Sequence, residues 1–343
     1  MQKIYNKILT ILKKPQIGFL AAGVVLLIVW WYGPALPKNI YETTIVTSFY
    51  AIAGIGFALL MGYAGLSSLG TGAFFGIGAF GFHYLYKYLN QSILVAVFVV
   101  IILSIIVSLI FGIISLRIAG MYLAIITMGL SRLIIEIVRT FKPYADGSTG
   151  GFLTGENKRE LAFLGMKLQT DDTLIFIAIF LVIGMIIVYN LINSSTGRAL
   201  LAIKNSKTAA QTMGIKVINY RLLAFVISGI YGTVAGVCSI LYTRNGDVGN
   251  MDLTFALNIL AAVIVGGSRS IWGILLGSFV IFGMNLSILP MLKLESFSIV
   301  LNGVLIILIM MFYPNGLINI FTDLKGKILK LRKKIKVARY GEE

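Results

Sequence analysis

The chain has 343 residues, 58% of them hydrophobic and only 12% charged, with a mean hydropathy of +0.93. A soluble domain carries about a quarter charged residues, so a water-soluble enzyme or binding module is excluded, and repeated apolar runs of about 20 residues mark a polytopic α-helical membrane protein. The formal net charge of +16 gathers at Lys3, Lys7, Lys13 and Lys14, within 194–221, and from Lys325 to Arg339; beside apolar runs this reads as topology signals and contacts to anionic membrane lipids, with no nucleic acid as partner.

In chain order, a basic tail (1–16) leads into a first span, Ile17 to Tyr32, closed by Pro34 and Pro37. Trp30, Trp31 and Tyr32 form an interfacial belt. The following GPALPKN lacks a small-x-small cleavage pattern, so the run reads as a span and not a signal peptide. Further spans are expected over Tyr41–Met61, from the Gly-rich GYAGLSSLGTGAFFGIGAF to Tyr86, over Ser92–Ile114 and over Ile118–Arg139. A mixed-charge segment, 142–172, separates these from a sixth span at Thr173–Ile192. After the loop 194–221 come spans at Leu222–Tyr242, Met251–Val265, Ile271–Leu289 and Phe297–Tyr313, then a basic tail, 314–343. All six prolines are expected at span ends, where they break no helix. The expectation is an all-α membrane domain over 17–313 with about ten transmembrane helices (eight to ten). The eighth segment is short enough to be re-entrant instead.

Orientation follows from charge. The loop 194–221 holds Arg198, Lys204, Lys207, Lys216 and Arg221 and no acid, and both tails are also basic, which places loop and termini in the cytoplasm. Within that loop Ser206 is placed to cap a helix over Lys207–Met213. Thr208 and Gln211 add a capping-box spacing, and Gly214 suits a left-handed terminus. Ala209 and Ala210 would give that helix a flat face for a partner protein; a plain surface helix is the other reading.

Three more stretches stand out. Glycines 62, 65, 70, 72, 76 and 78, interleaved with Ser67, Ser68 and Thr71, read either as a broken helix lining a path or as a close helix contact. Arg132 and Glu136, four apart, lie on one face of the fifth span, as a structural pair or a functional one. The external DGSTGGF turn, 146–152, stands in no strand–helix unit that would cradle phosphate and reads as a flexible turn. Nothing provides catalysis. The chain has one Cys (Cys238), one His (His83) and no GxxxxGK[ST] loop, so it lacks the usual metal sets and its own nucleotide site.

Several stretches in order resemble one family. GRALLAIKNSKTAAQTMGIKVINYRLLAF is similar to the cytoplasmic loop of ABC-importer permeases of the branched-chain amino acid family. There an Ala-Ala-Glu-x-x-Gly element is the coupling helix that docks on the ATPase; Gln211 replaces the Glu. The Gly-rich stretch resembles that family's GYAGQLSLGHAAFFGIGAY, with Thr71 at its His. LNILAAVIVGGSRSIWG and MMFYPNGLI also match its turns, with Arg269 at a Gly and Ile274 at a Pro. The fifth span is similar too, with Arg132 at the family's Glu.

The resemblance spans most of 41–318. It implies a non-catalytic permease subunit of a binding-protein-dependent importer in a bacterial plasma (inner) membrane. ATP and Mg would reside on two partner ATPase subunits, and this chain would bind no cofactor. A second homologous permease subunit, forming a heterodimer, and an extracytoplasmic substrate-binding protein would complete the assembly. The implied ATPase-coupling residues are Ser206, Ala209, Ala210, Gln211 and Gly214, flanked by Arg198 and Lys204. Gly65, Ser67, Ser68, Gly70 and Thr71 are the path candidates, and Gly147, Ser148, Thr149 and Gly150 the external-loop candidates. The implied substrates are branched-chain amino acids, with urea, a sugar or a nucleoside as alternatives. An ATP-independent secondary transporter or channel is the rival mechanism, although the spans hold few charges for an ion relay.

Overall fold

A computed structural model describes residues 15–33, 37–115, 122–141, 160–163, 166–170, 172–246, 251–291, 298–313 and 316–319. Residues 1–14 and 320–343 of the two tails and the DGSTGGF turn lie outside the described residues. Pro15 opens α1 (Pro15–Trp31), where its missing N–H costs nothing. Helix α2 (Lys38–Ala58) continues through a π turn, Leu59–Tyr63, and the chain is then irregular until α3 (Thr71–Lys87). There follow α4 (Ile93–Ser115) and α5 (Tyr122–Thr140), then a two-residue antiparallel hairpin, β1 (Ala162–Phe163) with β2 (Met166–Lys167). Helix α6 (Thr173–Asn193) leads into two short helices, α7 (Ser195–Asn205) and α8 (Lys207–Thr212), and these into α9 (Val217–Thr243). The chain closes with α10 (Leu253–Gly266), α11 (Ile271–Ser278), a second π turn at Phe279–Gly283, α12 (Met284–Met291) and α13 (Ser298–Phe312).

Short polar side chains set many of these starts. Ser194 accepts from Thr196 N, Asp252 from Leu253 N and Ser270 from Gly273 N, each satisfying an orphan donor of a first helical turn. Pro290 departs from expectation: it sits inside α12, one residue before its end. In a last turn the ring removes only one ladder bond, which is tolerated there.

Among the described residues five helices are long and apolar enough to cross a membrane: Lys38–Tyr63, Ile93–Ile114, Thr173–Asn193, Val217–Thr243 and Ile271–Met291. Several others are shorter. Helix α3 has 17 residues and α10 has 14, about 25 and 21 Å at 1.5 Å per residue, against a hydrocarbon core of about 30 Å. They begin inside the thickness of the bundle and run in opposite directions. α10 ends where Gly62, at the foot of α2, meets Ser268, whereas Gly72 at the start of α3 abuts Met251, just before α10.

The centre of the bundle is α9, packed on α3, α2 and α4. Phe49, Ile52 and Ile55 of α2 share one apolar core with Tyr231 and Cys238 of α9 and with Phe255 and Ile259 of α10. Tyr231 buries its ring there and donates its hydroxyl to the Gly184 carbonyl at 2.7 Å, so the polar tip is satisfied. At the α3–α9 crossing, backbone meets backbone. A Cβ on Gly78 would come within 2.0 Å of the Thr233 carbonyl, and one on Gly236 within 2.0 Å of the Phe75 carbonyl. Thr233 seals the contact by donating to the Phe74 carbonyl at 3.1 Å. Farther along, the hairpin is pinned to α3 by the Tyr86 hydroxyl, which donates to the Glu160 carbonyl and accepts from Ala162 N.

Gly236→Val forces these backbones apart. Overpacking of this kind costs about 1–3 kcal/mol, so the variant is expected to unfold at lower temperature in detergent, whereas Gly129→Ala, where a Cβ meets nothing within 4 Å, leaves the transition unchanged.

Candidate functional site

Between the π turn of α2 and the start of α3, residues 64–70 are unwound in the interior of a helical bundle. Where such a segment is shielded from water its backbone must be satisfied by protein groups, and several of its polar groups are. Leu66 N reaches back to the Leu60 carbonyl at 3.1 Å. Leu69 N donates to Thr127 Oγ1 at 2.9 Å, and its carbonyl accepts from Ser131 Oγ at 3.3 Å. Ser68 Oγ accepts from Gly70 N at 3.2 Å. Gly65 has φ +67°, open to glycine at little cost.

The helix end that precedes the break is capped from a distance. Lys204, in the last turn of α7, donates from Nζ to the carbonyls of Gly62 (2.8 Å) and Met61 (3.2 Å). A cation here meets the orphan carbonyls and the negative end of the helix dipole. Its stem lies over Gly65, where a Cβ would come within 3.0 Å of Lys204 Cγ. Burial, and then the Arg269 charge, hold the Lys204 ammonium pKa below the usual lysine value. Arg269 belongs to the turn joining α10 and α11, whose carbonyl accepts from Tyr63 Oη at 3.1 Å. Lys204, Arg269, Met61 and Ser268 line an open cavity of about 740 Å³ at this end. Among the described residues no three His, Cys, Asp or Glu side chains cluster as metal ligands.

Lys204 belongs to the loop that leads into α8. Ser206 is extended and its Oγ accepts from Ala209 N at 3.3 Å, as its type and place foretell. Gly214 has φ +79°. Ile215 N bonds the Ala210 carbonyl and Gly214 N the Gln211 carbonyl, each at 3.0 Å, which makes the end of α8 a Schellman motif. That motif brings an apolar residue after the glycine onto the last helical turn. Ala210 is therefore 3% exposed, covered by Ile203, Ile215 and Val217. The expected flat Ala face is half withdrawn: Ala209 and Gln211 are exposed, Ala210 is not. The outward apolar group is instead Met213, 83% exposed. Arg198 is exposed, 3.5 Å from the Asn193 carbonyl.

The path candidates divide. Gly65 and Ser67 are exposed; Ser68, Gly70 and Thr71 are buried. Arg132 and Glu136 do not pair with each other. Arg132 lies 3.3 Å from Asp252 at the start of α10, and Glu136 lies 3.5 Å from Arg139. Asp252 draws the guanidinium across to its own element. Gly147, Ser148, Thr149 and Gly150 lie outside the described residues. Thr127, Ser131, Asp252 and Met213 were missed by sequence reasoning. The first two could have been found as hydroxyls four apart on the face of α5 turned away from its charges.

An unwound segment satisfied by protein and two helices that start at mid-thickness define a polytopic membrane protein of the kind built around a path for solutes. The chain belongs to the family described as the branched-chain amino acid transport system permease component, whose sequence model matches residues 39–310. It is 26% identical over 322 residues to the high-affinity branched-chain amino acid transport system permease protein LivM of Escherichia coli (strain K12), covering 88% of this chain and 74% of that one. The LivM of Salmonella typhimurium (strain LT2) matches equally, at 26% over the same length. The probable branched-chain amino acid transport permease protein LivH of Methanocaldococcus jannaschii is 29% identical over 165 residues, 46% of this chain and 50% of that protein. No solved structure matches.

Thr127→Val keeps the side-chain shape but leaves the half-buried Leu69 N–H without its acceptor, a loss of about 1 kcal/mol. The Leu69 amide is expected to exchange with deuterium about fivefold faster or more, with α9 unaffected; unchanged exchange at Leu69 would mean that Thr127 does not hold the segment.

Proposed function

We propose that the chain is a transmembrane permease subunit of an ATP-driven importer for branched-chain amino acids. The observation that carries the reading is the α7–α8 unit: a capped helix with an exposed tip, joined through Lys204 to the end of the broken helix α2. In this reading Ser206 and Gly214 shape α8, and Ala209, Gln211 and Met213 face the ATPase. Arg198 and the other cations of the loop hold it at the cytoplasmic surface. Nucleotide and Mg belong to two partner ATPase subunits, and the chain itself performs no chemistry.

In this reading both termini are cytoplasmic and the chain crosses the membrane about ten times, with the short helices α3 and α10 as partial crossings. A homologous second permease subunit and an extracytoplasmic binding protein complete the assembly, which sits in a bacterial plasma membrane. Family membership and the names of the relatives support the substrate class.

The decisive variants differ in burial. Met213→Asp places a charge on an exposed tip, where surface changes stay within about 0.5 kcal/mol. The chain should keep its melting temperature yet no longer co-purify with an ATPase subunit from mild detergent. Ala210→Asp should weaken both, because it buries a carboxylate between Ile203 and Val217. If wild-type chain purifies alone and moves leucine into vesicles without ATP, the importer reading is wrong and a secondary transporter takes its place.

A further inference from the structure

Helix α5 presents two unlike faces. Leu123, Thr127, Leu130, Ser131, Ile135 and Val138 are buried. The opposite side is mixed: Gly129, Arg132, Glu136 and Thr140 run along it at spacings of three, four and four, all exposed, beside the exposed Ile125, Leu133 and Ile137. On α4, by contrast, the exposed face is wholly apolar, with Phe98, Ile102, Ile106 and Ile110, as lipid contact requires. A stripe of charge on a membrane helix faces water or protein, because ionised groups are costly against acyl chains.

Its depth is fixed by packing. Leu123 lies in one cluster with Leu59, Leu60 and Leu200, at the end that carries α7 and α8, whereas Phe141 stacks edge-on with Tyr84 near the hairpin end of α3. Arg132 lies nine residues from each, about 14 Å along the axis. Its partner Asp252 opens the short helix α10 and sits about 20 Å from that helix's foot, counting 1.5 Å per residue. The ion pair is therefore at mid-thickness, yet its side chains are 58% and 40% exposed. Asp252 spends one oxygen on Leu253 N and Arg132. A guanidinium has five N–H donors and a carboxylate two oxygens, so each retains capacity for a ligand.

Resting on the importer reading, we propose that the stripe from Gly129 to Thr140 walls the water-filled path along the subunit's exposed flank, and that Arg132 and Asp252 form its mid-membrane binding station. There the pair opens to hold the carboxylate and the ammonium of an α-amino acid zwitterion. The ligand satisfies both charges as the ion pair did, so neither is left bare, and the apolar side chain of the solute is left to the path wall.

The lone native cysteine, Cys238, is buried, which gives a clean background for thiol labelling of the intact importer in vesicles. Gly129→Cys, Glu136→Cys and Thr140→Cys should react with a charged, membrane-impermeant methanethiosulfonate at least about tenfold faster than the lipid-facing control Ile102→Cys, since the thiolate forms only in water. Saturating leucine should slow Gly129→Cys. Arg132→Gln combined with Asp252→Asn, a neutral hydrogen-bonding pair, should cut leucine uptake about tenfold or more while assembly and melting temperature hold. Arg132→Lys with Asp252→Glu should restore most of it.

Labelling no faster than the control overturns the path, and uptake within twofold of wild type in the neutral pair overturns the station. A neutral pair that fails to assemble, with the conservative pair assembling but not transporting, also overturns the station and makes the ion pair structural. Absence of ATP-driven leucine uptake in wild type would sink the importer reading alone, because the labelling pattern needs no solute.

Discussion

A polypeptide that unwinds where water is absent must find a partner for every amide it frees, and that requirement organises this molecule around residues 64–70. Thr127 and Ser131 of α5 serve the two polar groups of Leu69, and Ser68 serves Gly70. Lys204 serves the carbonyls left at the end of α2. The positions of α5 and α7 follow from this duty as much as from apolar packing. These contacts tie the break to α5 and the turn before it to α7, so the segment is irregular without being loose.

The same contacts connect the site to the surface loop. Helix α8 is too short to persist alone, since isolated helices need about 12–15 residues even in favourable sequences. It stands because Ser206 closes one end, Gly214 and Ile215 the other, and Ala210 anchors it on Ile203 and Val217. Its neighbour α7 carries the lysine that grips α2. A push on α8 is therefore a push on a cation bonded to the break.

Much of this was legible in the sequence. Apolar runs located the long helices within a few residues, because a helix in a membrane must satisfy its backbone alone and so shows as a continuous stretch. Ser206 and Gly214 disclosed α8 because caps are local chemistry. The partners of charges were not legible. Arg132 and Glu136 share a face, yet Arg132 pairs with Asp252, some 120 residues later, since a guanidinium on a long stem goes to the nearest carboxylate in space. Ala210 looked like an offered surface and is covered, because the Schellman motif folds the chain after Gly214 back over it. The Gly-rich stretch left two readings open; the close helix contact is present at Gly78, and residues 64–70 are unwound as a broken helix would be.

That close contact constrains how the bundle can move. With Gly78 on the Thr233 carbonyl and Gly236 on the Phe75 carbonyl, α3 and α9 interlock like two threaded rods, and sliding either along the other drives main chain into main chain. The pair must travel as one rigid beam. Any opening and closing of the protein is left to joints elsewhere: the unwound 64–70 segment at the beam's foot and the Arg132–Asp252 contact that links α5 to the start of α10.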